Sequence, residues 1–183
     1  MRKTIFGTIL ANLTFLALLS TGAFAQSNDS VYTKINLDED CSLTEAHEMG
    51  ATFACPGYKG YPVMVAEGDL RMFVSFGLDS LNEVAAEQTL PAFNTINDTL
   101  EWRLAKREFG WTPIATILRY YTDDGMGDKQ QHLIVTKIKQ GSTCQVARVN
   151  ASKYKNANQI ARDLADSVAE TFDCSNQPIE WGQ

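Results

Sequence analysis

Histidine is nearly absent from this chain, with His47 and His132 its two examples. Any mechanism that moves a proton through imidazole must use one of them, and no Gly-x-Ser-x-Gly nucleophile elbow accompanies either. Phosphate-cradling glycine loops, the dinucleotide fingerprint, a haem motif and a zincin motif are missing as well, so no cofactor is expected. Positive charge is scarce, 16 Lys and Arg against 22 Asp and Glu. Phosphate backbones and anionic lipid surfaces repel such a chain, which argues against nucleic acid as a partner. Beyond residue 25 no run is apolar enough to span a bilayer. Cysteine is sparse and widely spaced: no two of Cys41, Cys55, Cys144 and Cys174 are closer than 14 positions. That spacing lacks the close ligand pairs of a structural zinc site.

What is present begins with an export signal. Arg2 and Lys3 precede an apolar run from Ile5 to Leu19, and Ala23-Phe24-Ala25 supplies the small residues read at a cleavage site. The reading is a cleaved signal, 1–25, and a single domain, 26–183, with short frayed termini. Removing Arg2 and Lys3 leaves fourteen basic against twenty-two acidic residues, a net charge of −8. Four cysteines in an exported chain point to two disulfides and a periplasmic or secreted location. Three pairings are open, and chain geometry favours Cys41 with Cys55 and Cys144 with Cys174.

Periodicity supplies the elements. Val31 to Ile35 alternates as a strand, Ser42 to Gly50 reads as a turn or two of helix, and Thr52 to Cys55 returns as a strand whose end brings Cys55 to Cys41 if it lies beside the first. Val63 to Ala66 and Asp69 to Phe76 flank Glu67-Gly68 as a β-hairpin, with Leu70, Met72, Val74 and Phe76 on one face. Leu78 to Glu87 suggests a short surface helix in a weakly patterned stretch, Gly77 to Thr99. Leu100 to Leu104 is a strand. Trp111 to Tyr121, Gln131 to Ile138 and Cys144 to Val149 form a meander joined by glycine turns. Ile160, Leu164, Val168 and Phe172 then recur every fourth residue, with Ala157, Ala161 and Ala165 beside them, as the stripe of a helix that Asn156 or Asn158 caps. A helix of about 15 residues is ~22 Å long and runs back over a strand of similar length, which returns Cys174 to Cys144. The expected fold is α+β: an antiparallel sheet of six to eight strands with the C-terminal helix packed on one face.

Four features carry candidate chemistry. Tyr58, Lys59 and Tyr61, in the loop Pro56 to Pro62, make a compact aromatic recognition surface anchored at Cys55, or else fold back on the core. His132 lies in a strand and is the candidate base of a hydrolase that would work in a cleft against the segment Gly77 to Thr99. Asp123, Asp124 and Asp128 share a glycine-bearing turn that lacks EF-hand spacing and reads as backbone turn geometry, with calcium the lesser alternative. His47 between Glu45 and Glu48, sharing a helical face with Thr44 and Glu48, reads as part of a solvated acidic helix rather than a metal site. Trp102 and Trp111 are expected in the core and Trp181 exposed. No catalytic residue and no metal ligand is assigned.

The stretches Cys-Pro-Gly-Tyr-Lys-Gly-Tyr-Pro-Val (55 to 63), Glu-Gly-Asp-Leu-Arg-Met-Phe-Val-Ser-Phe-Gly (67 to 77) and Gly-Trp-Thr-Pro-Ile-Ala-Thr-Ile-Leu-Arg-Tyr (110 to 120) resemble small exported proteins of alphaproteobacteria. The resemblance implies a periplasmic address and carries over no activity and no site residue. The function expected from the residues is a non-enzymatic module that binds a protein or cell-envelope component. The alternative is a small hydrolase using carboxylates or His132. The oligomeric state is left open.

Overall fold

The computed structural model describes residues 28–182, so the signal expected over 1–25 lies outside the described residues. The elements in chain order are β1 (Asn28–Lys34), β2 (Ser42–His47), β3 (Gly50–Cys55), β4 (Val63–Gly68), β5 (Arg71–Phe76), β6 (Phe93–Arg107), β7 (Gly110–Asp123), β8 (Lys129–Lys137), β9 (Cys144–Asn150), α1 (Ala157–Val168) and β10 (Ile179–Trp181). They build three layers. A six-stranded sheet of order β1-β6-β7-β8-β9-β10 lies between a four-stranded sheet, β2-β3-β4-β5, and the helix. Every strand pair is antiparallel except β9 with β10.

Strand alternation explains why the central sheet serves two cores. Leu100, Trp102 and Leu104 of β6, Leu118 and Tyr120 of β7 and Ile134 of β8 face the small sheet, where Val63, Val65, Met72, Val74 and Phe76 meet them. Ala115 and Ile117, Leu133 and Val135, and Cys144, Val146, Ala147 and Val149 face the helix. A register shift between Val135 and Thr136 lets two consecutive residues, Val146 and Ala147, both enter the helix-side core.

The helix buries a different stripe from the one its large apolar residues suggest. Ala157, Ala161, Ala165 and Ala169 are fully enclosed against the sheet, while Ile160, Leu164 and Phe172 flank them half-buried. Alanine's small side chain lets the helix axis approach the sheet closely, and the larger residues close the sides. Asn156 precedes the helix but forms no side-chain capping hydrogen bond. Polar pairs lock the helix to β6: Asp166 takes both forks of Arg103 at 2.9 and 2.6 Å, and Arg162 donates to Glu101 at 2.6 and 3.1 Å.

Both disulfides form as expected, Cys41 with Cys55 and Cys144 with Cys174. The first forms for another reason. Residues 42–50 are not helical: β2 pairs antiparallel with β3, placing Ser42 opposite Ala54, so Cys41 meets Cys55 at the foot of a hairpin. β1 pairs with β6 instead, which also orders Asn28 to Ser30, expected to fray. At the other terminus Ile179 to Trp181 is a strand rather than a frayed tail, and Trp181 is exposed. Leu78 to Glu87 forms two short 3-10 turns, Ser80–Asn82 and Val84–Glu87, in place of one helix. The buried Glu83 carboxylate there accepts the Gly141 and Thr143 backbone N–H groups at 2.6 and 2.8 Å, tying this segment to the β8–β9 turn.

Candidate functional site

The β4–β5 hairpin turns two residues later than its glycine suggests. Val63 sits opposite Phe76 and Val65 opposite Val74, a register that pairs Gly68 with Arg71 and leaves Asp69-Leu70 as the two-residue turn. Both take left-handed backbone angles, φ 52° and 58°. That conformation suits the twist of a hairpin but is uncommon for a bulky residue. Leu70 consequently leaves the core face assigned to it and stands 64% exposed at the tip.

Three hairpin tips gather at this end of the molecule. Glu48-Met49 of β2–β3 and Asp69-Leu70 of β4–β5 line one cavity of about 350 Å³. Leu70 also lines a larger cleft of about 600 Å³, whose other walls are Phe93 and Thr95 of β6 and Tyr121 and Gln131 of the β7–β8 hairpin. Phe93 and Tyr121 are exposed within it, Met49 is 67% exposed at one side, and Met126 in the turn after β7 is 88% exposed. Solitary exposed apolar residues are ordinary on protein surfaces, whereas here several surround one concavity.

Asn94 holds the cleft in shape. It is buried, its backbone N–H donates to the Leu70 carbonyl at 3.0 Å, and its side-chain oxygen accepts the Met72 N–H at 3.0 Å. Its amide nitrogen donates to the Ala92 carbonyl at 2.8 Å. One side chain thus joins the small sheet's hairpin to the first residues of β6. Sequence offered no signal for it, since a lone asparagine in a weakly patterned stretch reads as turn chemistry.

The acidic turn spends much of its charge on its own backbone. Asp123 accepts the Gly125 N–H at 2.9 Å, and Asp124 accepts Met126 and Asp128 at 2.8 and 3.0 Å. The Gly125 N–H and the Lys129 ammonium beside it hold the Asp123 carboxyl below the usual range. Among the described residues no group of three or more His, Cys, Asp or Glu side chains is placed to hold a metal ion.

His132 does border a cavity against the weakly patterned segment. Leu90, Pro91 and Ala92 form one wall of a space of about 280 Å³ that His132, Arg148, Glu180, Asp124 and Asp128 share. Arg148 is committed there, to Gln145 at 2.8 Å, the Thr89 carbonyl at 3.1 Å and Glu180 at 3.2 Å. Burial pushes the His132 imidazole below its ordinary pKa, Glu180 opposes that shift, and Arg148 and Lys153 add to it. This cavity adjoins the apolar cleft through Thr122 and Gln130, which line both.

Tyr58 and Tyr61 lie at the opposite end. Their rings tilt against the fully buried Trp102 at 6.2 and 6.4 Å between centroids, and Phe76 meets the same indole edge-on at 5.7 Å. Both tyrosines are half-buried and Lys59 is exposed, its ammonium 5.2 Å from the Tyr58 ring centre. Lys59 and Tyr61 border a separate groove of about 380 Å³ with Pro62, Leu78 and Ile138.

No family model matches the chain, and no curated protein or solved structure matches it either.

Proposed function

We propose that this chain is an extracytoplasmic, non-enzymatic binding domain that takes an apolar group of a protein or envelope component into the cleft between the Asp69-Leu70 tip and the β7–β8 hairpin. Two disulfides and no free cysteine among the described residues support a location in the periplasm or outside the cell. The observation that carries the reading is the clustering of Leu70, Phe93 and Tyr121 in one concavity of ligand-binding size, on strands that Asn94 fixes. The half-buried tyrosines Tyr58 and Tyr61 support Trp102, which shifts the weight from their loop to the cleft. The test is a titration of the isotope-labelled protein with indole, followed by amide chemical shifts. Shifts at Leu70, Thr95, Tyr121 and Gln131 are expected. Shifts confined to Lys59, Gly60 and Leu78 would move the site to the tyrosine loop.

The cavity of His132 favours a second reading, a hydrolase in which the imidazole accepts a proton beside Glu180 and Arg148. A panel of chromogenic ester and peptide substrates decides it. Turnover that His132→Gln abolishes supports an enzyme, and none in the wild type removes that role.

A further inference from the structure

Two of the hairpin tips that line the cavities repeat one chemical pattern, an acid beside an exposed apolar residue, Glu48 with Met49 and Asp69 with Leu70, and the β7–β8 turn carries Asp124 and the exposed Met126 two positions apart. Two of the local carboxylates have cations of their own, Asp69 with Arg71 at 2.6 Å and Asp123 with Lys129 at 3.4 Å. Glu48 and Glu67 form no ion pair among the described residues, and Asp124 and Asp128, though hydrogen-bonded within their own turn, have no cation partner either. Negative charge is therefore in local excess around an apolar surface to which Met49 contributes an unbranched side chain that adapts to varied partners.

We infer that the occupant of the cleft is a cationic, apolar peptide segment of a partner protein. Its Lys or Arg side chains lie against Glu48, Glu67 and the Asp124–Asp128 turn, and its apolar side chains enter the two cavities on either side of Leu70. The inference rests on the cleft being the recognition site. Charge complementarity selects this occupant: an anionic lipid surface or an acidic peptide would meet like charge, which raises the free energy of wrong pairings and slows encounter. Two adjacent cavities sharing Glu67 and Leu70, of about 600 and 350 Å³, suit successive side chains of one segment better than a single small molecule.

The test is fluorescence anisotropy of the purified protein with a labelled twelve-residue peptide of lysine and leucine in amphipathic spacing, alongside its glutamate-for-lysine counterpart and phosphatidylglycerol vesicles. Saturable binding of the lysine peptide alone is expected, weakened about tenfold between 50 and 500 mM salt. The double variant Glu48→Lys/Glu67→Lys should weaken it about tenfold or more. Leu70→Gly removes the apolar tip while relieving its backbone, so a loss of binding in that variant is not a loss of fold. Equal binding of both peptides, binding to vesicles alone, or lysine-peptide binding that neither variant disturbs would overturn the inference. If neither peptide binds while indole still shifts the cleft amides, the ligand class is wrong and the cleft stands. If indole also leaves those amides unmoved, both readings fall.

Discussion

The Asn94 side-chain oxygen accepts the Met72 backbone N–H at 3.0 Å, across a boundary between two sheets that share no strand. A buried donor that loses its acceptor keeps its desolvation cost, about 1–3 kcal/mol for each group. Asn94→Ala strands both the Met72 N–H and the Ala92 carbonyl. The expected loss is about 2–4 kcal/mol of unfolding free energy in urea, together with weaker indole shifts at Leu70.

Leu70→Gly should act in the opposite direction. A left-handed backbone costs an L-residue about 1–2 kcal/mol, and glycine's greater freedom in the unfolded chain returns part of the gain, leaving about 0.5–1 kcal/mol. Thermal denaturation should show a melting point about 2 °C higher, and a lower one would show that the Leu70 side chain contributes packing its exposure conceals.

The Cys144–Cys174 bridge closes a separation of 30 residues between the start of β9 and the segment beyond α1. Constraint of the unfolded chain is worth about 3–4 kcal/mol at that length. The double variant Cys144→Ala/Cys174→Ala should lose that amount in urea denaturation. Protection from amide exchange should fall most in α1, whose alanine face the bridge holds against the sheet.

Acid should destabilise the domain through His132. Burial lowers its pKa from the ordinary 6.5, so the folded chain holds fewer protons at this site than the unfolded chain once pH falls toward that value. The stability it contributes is complete above the unfolded pKa, begins to fall near pH 6.5, and continues to fall down to the depressed folded value. Urea denaturation between pH 7.5 and pH 5 should show a smaller acid loss for His132→Gln than for wild type. Asp98, Asp123 and Asp173, all held below the carboxylate range, act in a separate window at lower pH.

Tyr58→Ala/Tyr61→Ala removes two rings from around Trp102 and should cost about 2–4 kcal/mol. Peptide binding at the far cleft should be unchanged in the folded fraction. A variant with unaltered stability would show that the rings are dispensable to the core.

The alternation in β6 through β9, the helix period and the disulfide pairing were legible because each is a local or near-local pattern. Trp102 and Leu104 announce the buried face of β6 directly. Residues 42–50 were not legible. Ser42 to His47 is exposed throughout, so neither strand nor helix period appears, and pairing with β3 decides its conformation. Gly68 is a stronger turn signal in sequence than Asp69-Leu70, yet the contacts of Val63 and Val65 across to β5 set the register. The cleft was invisible for a related reason: Glu67, Phe93 and Tyr121 come from three hairpins or strands and meet only once two sheets are stacked.

Both disulfides lie at the end of the molecule away from the cleft. Cys55 is opposite Val63 and Cys144 opposite Lys137, whereas Gly68, Arg71 and Lys129 mark the tips. Covalent constraint is therefore concentrated at one pole and the proposed recognition cleft lies at the other. Residues such as Met49 and Met126 are exposed and belong to neither bridge nor core, so the tips can vary in sequence while the fold they stand on does not.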